Sequence, residues 1–225
     1  TLHSINIDAL PGQTIGLIGP PGSGKSTLMQ LIPRFYDVTG GSITIDGHDI
    51  RQMTQSSLRQ NIGVVFQDIF LFSGTIRDNI SYGSVNATDD EIILATKCAE
   101  IHDFIESLPD GYESWVGERG VSLSGGQRQR LSIARTLLMN PSILILDDSM
   151  SSVDTQTEEN MKRALADQLD KRTTFIIAHR VISIKNADQI LVINNGSIDE
   201  EGSHDELLLK DGLYRELYEL QSATS

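Results

Sequence analysis

Short apolar runs, punctuated by glycine-rich turns, alternate with stretches of helical spacing along most of the chain. "QTIGLIG" (13–19) is brief and almost uniformly apolar, which predicts a buried strand. It breaks at the Gly/Pro-rich turn "GPPGSG", after which "KSTLMQLI" predicts a helix. "GSITIDGHDI" (41–50) sets two alternating runs around Asp46-Gly47, a hairpin signal. "IGVVFQ" (62–67), "SILILD" (142–147) and "TTFIIAH" (173–179) predict further strands. "QILVINNGSIDEEG" (189–202) predicts a hairpin through Asn195-Gly196. Helices are expected at about 157–169 and 181–187, and "HDELLLKDGLYRELYELQ" predicts a final one. The opening residues Leu2, Ile5 and Ile7 alternate like another strand. No initiator Met precedes them, so the chain reads as a piece of something longer.

Residues 68–140 have a different, mainly helical pattern. Thr88-Asp89-Asp90-Glu91 has the capping-box form ahead of "IILATKCAEIHDFIESL". A second helix is expected from about Ser124 to Met139, closed by Asn140-Pro141. Apolar strands alternating with helices imply a parallel sheet covered on both faces. The expected organisation is one α/β domain over residues 1–225. Residues 1–67 and 141–225 would form its core, with 68–140 as an inserted helical lobe.

Composition narrows the chemistry. Apolar residues at 39% and charged residues at 22% are ordinary for a chain with a packed core. With 31 acidic against 18 basic residues the net charge is −13, and that field repels phosphate backbones, so nucleic acid is not an expected partner. The one cysteine, Cys98, has no intrachain disulfide partner. No stretch approaches the roughly 20 apolar residues that span a bilayer.

Gly19-Pro20-Pro21-Gly22-Ser23-Gly24-Lys25-Ser26 fits G-x-x-x-x-G-K-[ST] between a predicted strand and a predicted helix, which is the context that motif requires. Glycines let successive amides curl around phosphate oxygens, and the helix start adds positive partial charge. Lys25 would reach the β- and γ-phosphates, and the Ser26 hydroxyl would ligate Mg²⁺. Asp147, at the end of a buried strand, is either the metal's second partner or a helix N-cap. Ser124 and Gln127 form a capping box, S-x-x-Q, but Gly125-Gly126 inside it is unfavourable for a helix start. Those glycines expose amides at a dipole end, which makes the start a candidate anion site. Gln67 and His179 each end a predicted strand; a glutamine there is often only a satisfied polar terminus, and a lone histidine is more often structural than catalytic.

Taken in order, these residues resemble the nucleotide-binding domain of an ABC transporter, and the resemblance covers nearly the whole chain. Gly19–Ser26 matches Walker A, Gln67 the Q-loop, LSGGQ (123–127) the signature and ILILDD (143–148) Walker B. Ser151-Ser152-Val153-Asp154 matches the D-loop and His179 the switch histidine. "VGERG" (116–120) and "LFSGTIRDNI" (71–80) resemble the exporter subtype. The resemblance implies a P-loop NTPase (RecA-like) core with a parallel sheet flanked by helices, a small antiparallel β part and an inserted helical lobe. It implies ATP and Mg²⁺ as ligands, with Gly19 to Ser26 and Thr27 around the phosphates. Ser26, Gln67 and Asp147 would serve the metal, and Asp148, Gln67 and His179 the hydrolysis. In the family two such domains sandwich two ATP molecules head to tail. Ser124, Gly125, Gly126 and Gln127 would therefore complete the partner's site, and Asp154 would belong to the D-loop. The implied partners are the transmembrane domains of the same transporter, at the cytoplasmic face of a membrane, and a second nucleotide-binding domain.

Two departures from the family pattern carry weight. The aromatic residue that stacks on adenine would lie upstream of this chain. Asp148 stands where the family has a water-polarising glutamate, and it is shorter by one methylene, about 1.5 Å. The expectation is a weakly hydrolytic site in a heterodimer whose other subunit is non-identical. Two alternatives are an ATP-dependent dimerisation module with negligible hydrolysis, and a DNA-acting soluble relative, which the charge disfavours.

Overall fold

The computed structural model describes residues 2–117, 121–147 and 172–223. Asp148, Asp154, residues 118–120 of "VGERG" and the helix expected at 157–169 lie outside those residues. The chain divides into two units, one of Thr1–Ile62 with Ser142–Asp148 and Arg172–Ser225, the other running through Gly63–Pro141.

In the first unit, β1 (Thr14–Ile18), β7 (Ile143–Asp147), β8 (Thr173–Ile177) and β9 (Gln189–Asn194) are parallel, and β10 (Ser197–Gly202) turns back antiparallel on β9. With β4 (Ile62–Val65) the sheet order is β10-β9-β1-β8-β7-β4. Successive positions of the inner strands are buried, so both faces are covered, which is why they read as continuous apolar runs. Helix α1 (Lys25–Leu31) follows β1, and α7 (Val181–Ile184) follows β8. Gly16 lets α7 pack closely on β1, since a Cβ there would lie 2.8 Å from Ile184 Cβ. The hairpin β2 (Thr44–Ile45) and β3 (His48–Asp49) closes through Asp46 and Gly47, both at positive φ (50° and 77°). Asn195 and Gly196 (46° and 82°) turn β9 into β10 by the same chemistry.

Several expectations need correction. Residues 2–13 form no strand; among the described residues the alternation of Leu2, Ile5 and Ile7 has no ladder partner, and His3 N–H donates to the Gly196 carbonyl (2.8 Å). β4 ends at Val65, so Gln67 lies two residues past it. The 181–187 helix is shorter, ending at Ile184. The final helix is two, α8 (His204–Leu209) and α9 (Leu213–Ser222). The Asp211-Gly212 pair separates them, and Gly212 sits so close to Glu200 that a Cβ would lie 2.4 Å from its carboxylate.

In the second unit, α4 (Asp89–Cys98) starts with the expected capping box of Thr88 and Glu91. The Thr88 amide and hydroxyl hold the Glu91 carboxyl below its ordinary range. The helix does not run on to Leu108. It stops in a Schellman arrangement, with Ile101 N–H on Thr96 O and Glu100 N–H on Lys97 O, and α5 (His102–Glu106) begins anew. Glu100 takes the left-handed φ of 54° that usually calls for glycine, which is why the stop is hidden in the sequence. The unit also holds α3 (Ile76–Ser81), capped by Thr75 and Asp78, and a two-strand ribbon of β5 (Gly74–Thr75) and β6 (Trp115–Val116). α6 (Gly125–Leu138) runs close to the expected span.

Helices α7, α8 and α9 share a core of Ile18, Val181, Ile184, Val192, Leu207 and Tyr214. Burial pushes the Tyr214 hydroxyl up to about 12. An unfolded tyrosine loses its proton near pH 10, so folding is favoured fully below that value and progressively less toward pH 12. Tyr214→Phe should therefore flatten the alkaline decline of stability between those values, read by urea unfolding at successive pH.

Candidate phosphate and metal site

β1 delivers the chain into residues 19–24 at the strand's carboxyl end, and three glycines make the turn possible in different ways. Gly19 (φ 151°) passes beneath β9, where a Cβ would lie 1.9 Å from the Ile193 carbonyl oxygen. Gly24 (φ 107°) is the N-cap of α1, and a Cβ there would lie 2.9 Å from Leu2. Gly22 (φ 77°) faces open space, so only its backbone conformation calls for glycine. The β9–β10 turn braces the loop, because Gly196 N–H donates to the Ser23 carbonyl at 3.0 Å. Sequence reasoning missed this brace and Leu2, since neither is near the loop in the chain.

Lys25 is the first residue of α1 and only 5% exposed. Its ammonium donates to the carbonyls of Gly19 (2.8 Å) and Pro20 (2.9 Å) and to Ser23 Oγ (3.3 Å). A buried cation needs such acceptors, and here they are the loop's own oxygens. The charge therefore sits among the oxygens of the turn. No side chain caps the start of α1.

Ser26 and Asp147, 121 residues apart, meet at the edge of this loop, with Ser26 Oγ donating to Asp147 Oδ1 at 3.2 Å. Asp147 ends β7 and is 8% exposed. A hydroxyl beside a carboxylate is a pair of hard oxygen donors, suited to Mg²⁺ that keeps waters and substrate phosphates in its remaining positions. Among the described residues no group of three or more His, Cys, Asp or Glu gathers as a metal cage. The donor set fits an ion shared with a phosphate ligand rather than one held by protein alone. Thr27 continues α1 behind Ser26.

His179 lies two residues beyond β8, exposed, in the same unit as Lys25 and Asp147. Gln67 and the signature segment belong to the other unit. Gln67 is exposed in a bend. Ser124 caps α6 as expected: its hydroxyl accepts from Gln127 N–H (3.2 Å) and Gln127 Oε1 accepts from Ser124 N–H (2.8 Å). Gly125 and Gly126 occupy the first two positions of this 14-residue helix and add no side chains there.

Comparison with known proteins places the chain among its relatives. A profile of the family described as ABC transporter matches residues 2–151. The chain is 54% identical over 220 residues to an uncharacterized ABC transporter ATP-binding protein, YknU, of Bacillus subtilis (strain 168), covering 98% of this chain and 38% of that protein. It is 50% identical over 221 residues to ATP-binding cassette sub-family B member 6 of Homo sapiens, covering 98% and 26%. A solved bacterial Atm1-family ABC exporter with ATP bound superposes with a TM-score of 0.94 at 46% identity, covering 98% and 38%. The chain thus spans 38% or less of the length of these relatives.

The close approach of Gly19 to β9 gives a test. Gly19→Ala must push the loop off the Ile193 carbonyl, an overpacking change that typically costs about 1–3 kcal/mol. The variant is expected to unfold at lower denaturant and to bind triphosphate more weakly; parent-like values for both would show that the loop is not pinned there.

Proposed function

The chain belongs to the ABC transporter family, and from that membership we propose that it is the ATP-binding and ATP-hydrolysing domain that powers export of a substrate across a membrane. The observation that carries this reading is the meeting of Lys25, Ser26 and Asp147 at one glycine loop. The ATP-bound exporter with which the chain superposes supports it. The reading puts the chain at the cytoplasmic face of a membrane beside transmembrane domains; no described helix is itself long and apolar enough to cross one.

The residues then take distinct tasks. Lys25 exchanges the carbonyls of Gly19 and Pro20 for phosphate oxygens, which are stronger, charged acceptors. The amides of Gly22, Gly24 and Lys25 take the remaining phosphate oxygens. Ser26 and Asp147, with Gln67, would hold Mg²⁺, which would supply neutralisation of charge on the ATP phosphates. His179 contacts the γ-phosphate, and Gln67 couples the site to a transmembrane domain. The amides of Gly125 and Gly126 serve the ATP of a second domain in a head-to-tail pair.

Asp148 occupies the position of the water-polarising base. Its carboxylate falls about 1.5 Å short of a glutamate's, and a misplacement near 1 Å can slow a reaction by on the order of 10²-fold. This chain's own site is accordingly slow, and the partner domain is a non-identical subunit whose competent site is completed by this chain's signature helix. That asymmetry is supported by the identity of residue 148 alone.

Lys25→Ala should weaken Mg-ATP binding by about 10- to 100-fold, the worth of hydrogen bonds to a charged group; an unchanged titration would sink the phosphate-loop assignment. Asp148→Glu in the assembled transporter should raise single-turnover hydrolysis at this chain's site. A rate no faster than the parent's would show that reach is not what limits it.

A further inference from the structure

The support for His179 comes from the far end of the chain. β8 stops at Ile177, and the last sheet bond beyond it runs from Ala178 N–H to the Leu17 carbonyl (3.0 Å). α7 starts at Val181, and its N-cap residue, Arg180, makes no side-chain cap bond. Gln221 on α9 supplies one. Its Oε1 accepts from Val181 N–H at 2.8 Å, and its Nε2 donates to the His179 carbonyl at 2.8 Å. Only this orientation of the carboxamide satisfies both groups, because one is a donor and the other an acceptor. Gln221 therefore grips the peptides on either side of Arg180 as a neighbouring strand would, and so holds the backbone from which the His179 side chain projects.

α9 is firmly anchored. Tyr214 is fully buried beside Ile18, Val181 and Ile184, and Leu217 packs on the same cluster. Tyr214, Leu217 and Gln221 recur at i, i+3 and i+7, so they share one face of the helix. The helix start is tied to β10 by Tyr214 N–H on Glu200 Oε1 (3.1 Å), and the Tyr214 hydroxyl bonds His204 Nδ1 at 2.7 Å. A core-anchored helix thus carries the carboxamide to the turn.

We infer that Gln221 is a positioning residue of the nucleotide site, acting through His179 to fix where its imidazole meets the bound phosphate. The inference rests on the role given to His179 above. The test is single-turnover hydrolysis of radiolabelled ATP by the assembled transporter, with Mg-ATP affinity and thermal midpoint measured on the same variants. Gln221→Leu removes both hydrogen bonds at similar volume and should slow hydrolysis at this site at least about tenfold, as expected for a misaimed group. Affinity should stay within about twofold, because the Lys25 loop is untouched. Gln221→Glu keeps the acceptor for Val181 and loses the donor to His179, so it should reproduce the split with a thermal midpoint near the parent's. If Gln221 acts through His179, Gln221→Leu adds no further slowing to His179→Ala. Equal slowing in both backgrounds, or affinity falling in step with rate, overturns the inference. If His179→Ala alone hydrolyses ATP like the parent, the role of His179 falls, and this inference falls with it.

Discussion

The ammonium of Lys25, buried at the start of α1 and held by carbonyls of its own turn, is the interaction on which the rest of the site depends. A cation this deep requires oxygen acceptors within reach, and residues 19–24 supply them only by doubling back in conformations that β-carbons resist. The turn in turn requires β9 to pass directly over Gly19 and the Asn195-Gly196 hairpin to brace Ser23. A phosphate loop is often treated as a local motif, yet here its shape is set by a strand some 170 residues further along the chain.

The sheet order does the same for Asp147. β7 is not adjacent to β1; β8 lies between them. Because the three are parallel, with Asp147 opposite Ile177 and Leu17 also opposite Ile177, their carboxyl ends fall at one level. Ser26, one turn of chain beyond β1, and Asp147 therefore arrive at the same edge, where parallel α/β sheets place their ligands. The glycine-started helix in the other unit is built by local rules: a capping box sets its first turn, and its first two positions carry no side chains.

Much of this was readable because the signals are short-ranged. The apolar runs of β1, β7, β8 and β9 are buried on both sides, so no alternation was needed to find them. Asp46-Gly47 and Asn195-Gly196 reported their turns directly, and Thr88 and Ser124 announced their helices. The readings that failed did so where the deciding partner was missing or disguised. Leu2, Ile5 and Ile7 alternate like a strand but have no ladder to join, and Glu100 ends α4 in a conformation its side chain gives no hint of. Periodicity ran across Asp211-Gly212 because the apolar faces of α8 and α9 both point into one core, although the backbone between them is extended.

By itself the sequence determined the chemistry: a lysine and serine behind a glycine turn, an aspartate at the end of a buried run, and Gly125-Gly126 inside a capping box. Those depend on neighbours within a few residues, where spacing and side-chain type dictate backbone geometry. The tertiary structure alone decided that Asp147 meets Ser26, that Ile193 roofs Gly19, and that Gln221 grips the turn carrying His179. Each of these joins groups between 42 and 174 residues apart. No local propensity encodes such pairings; they exist only once the sheet order and the packing of α9 have brought the chain's distant parts together.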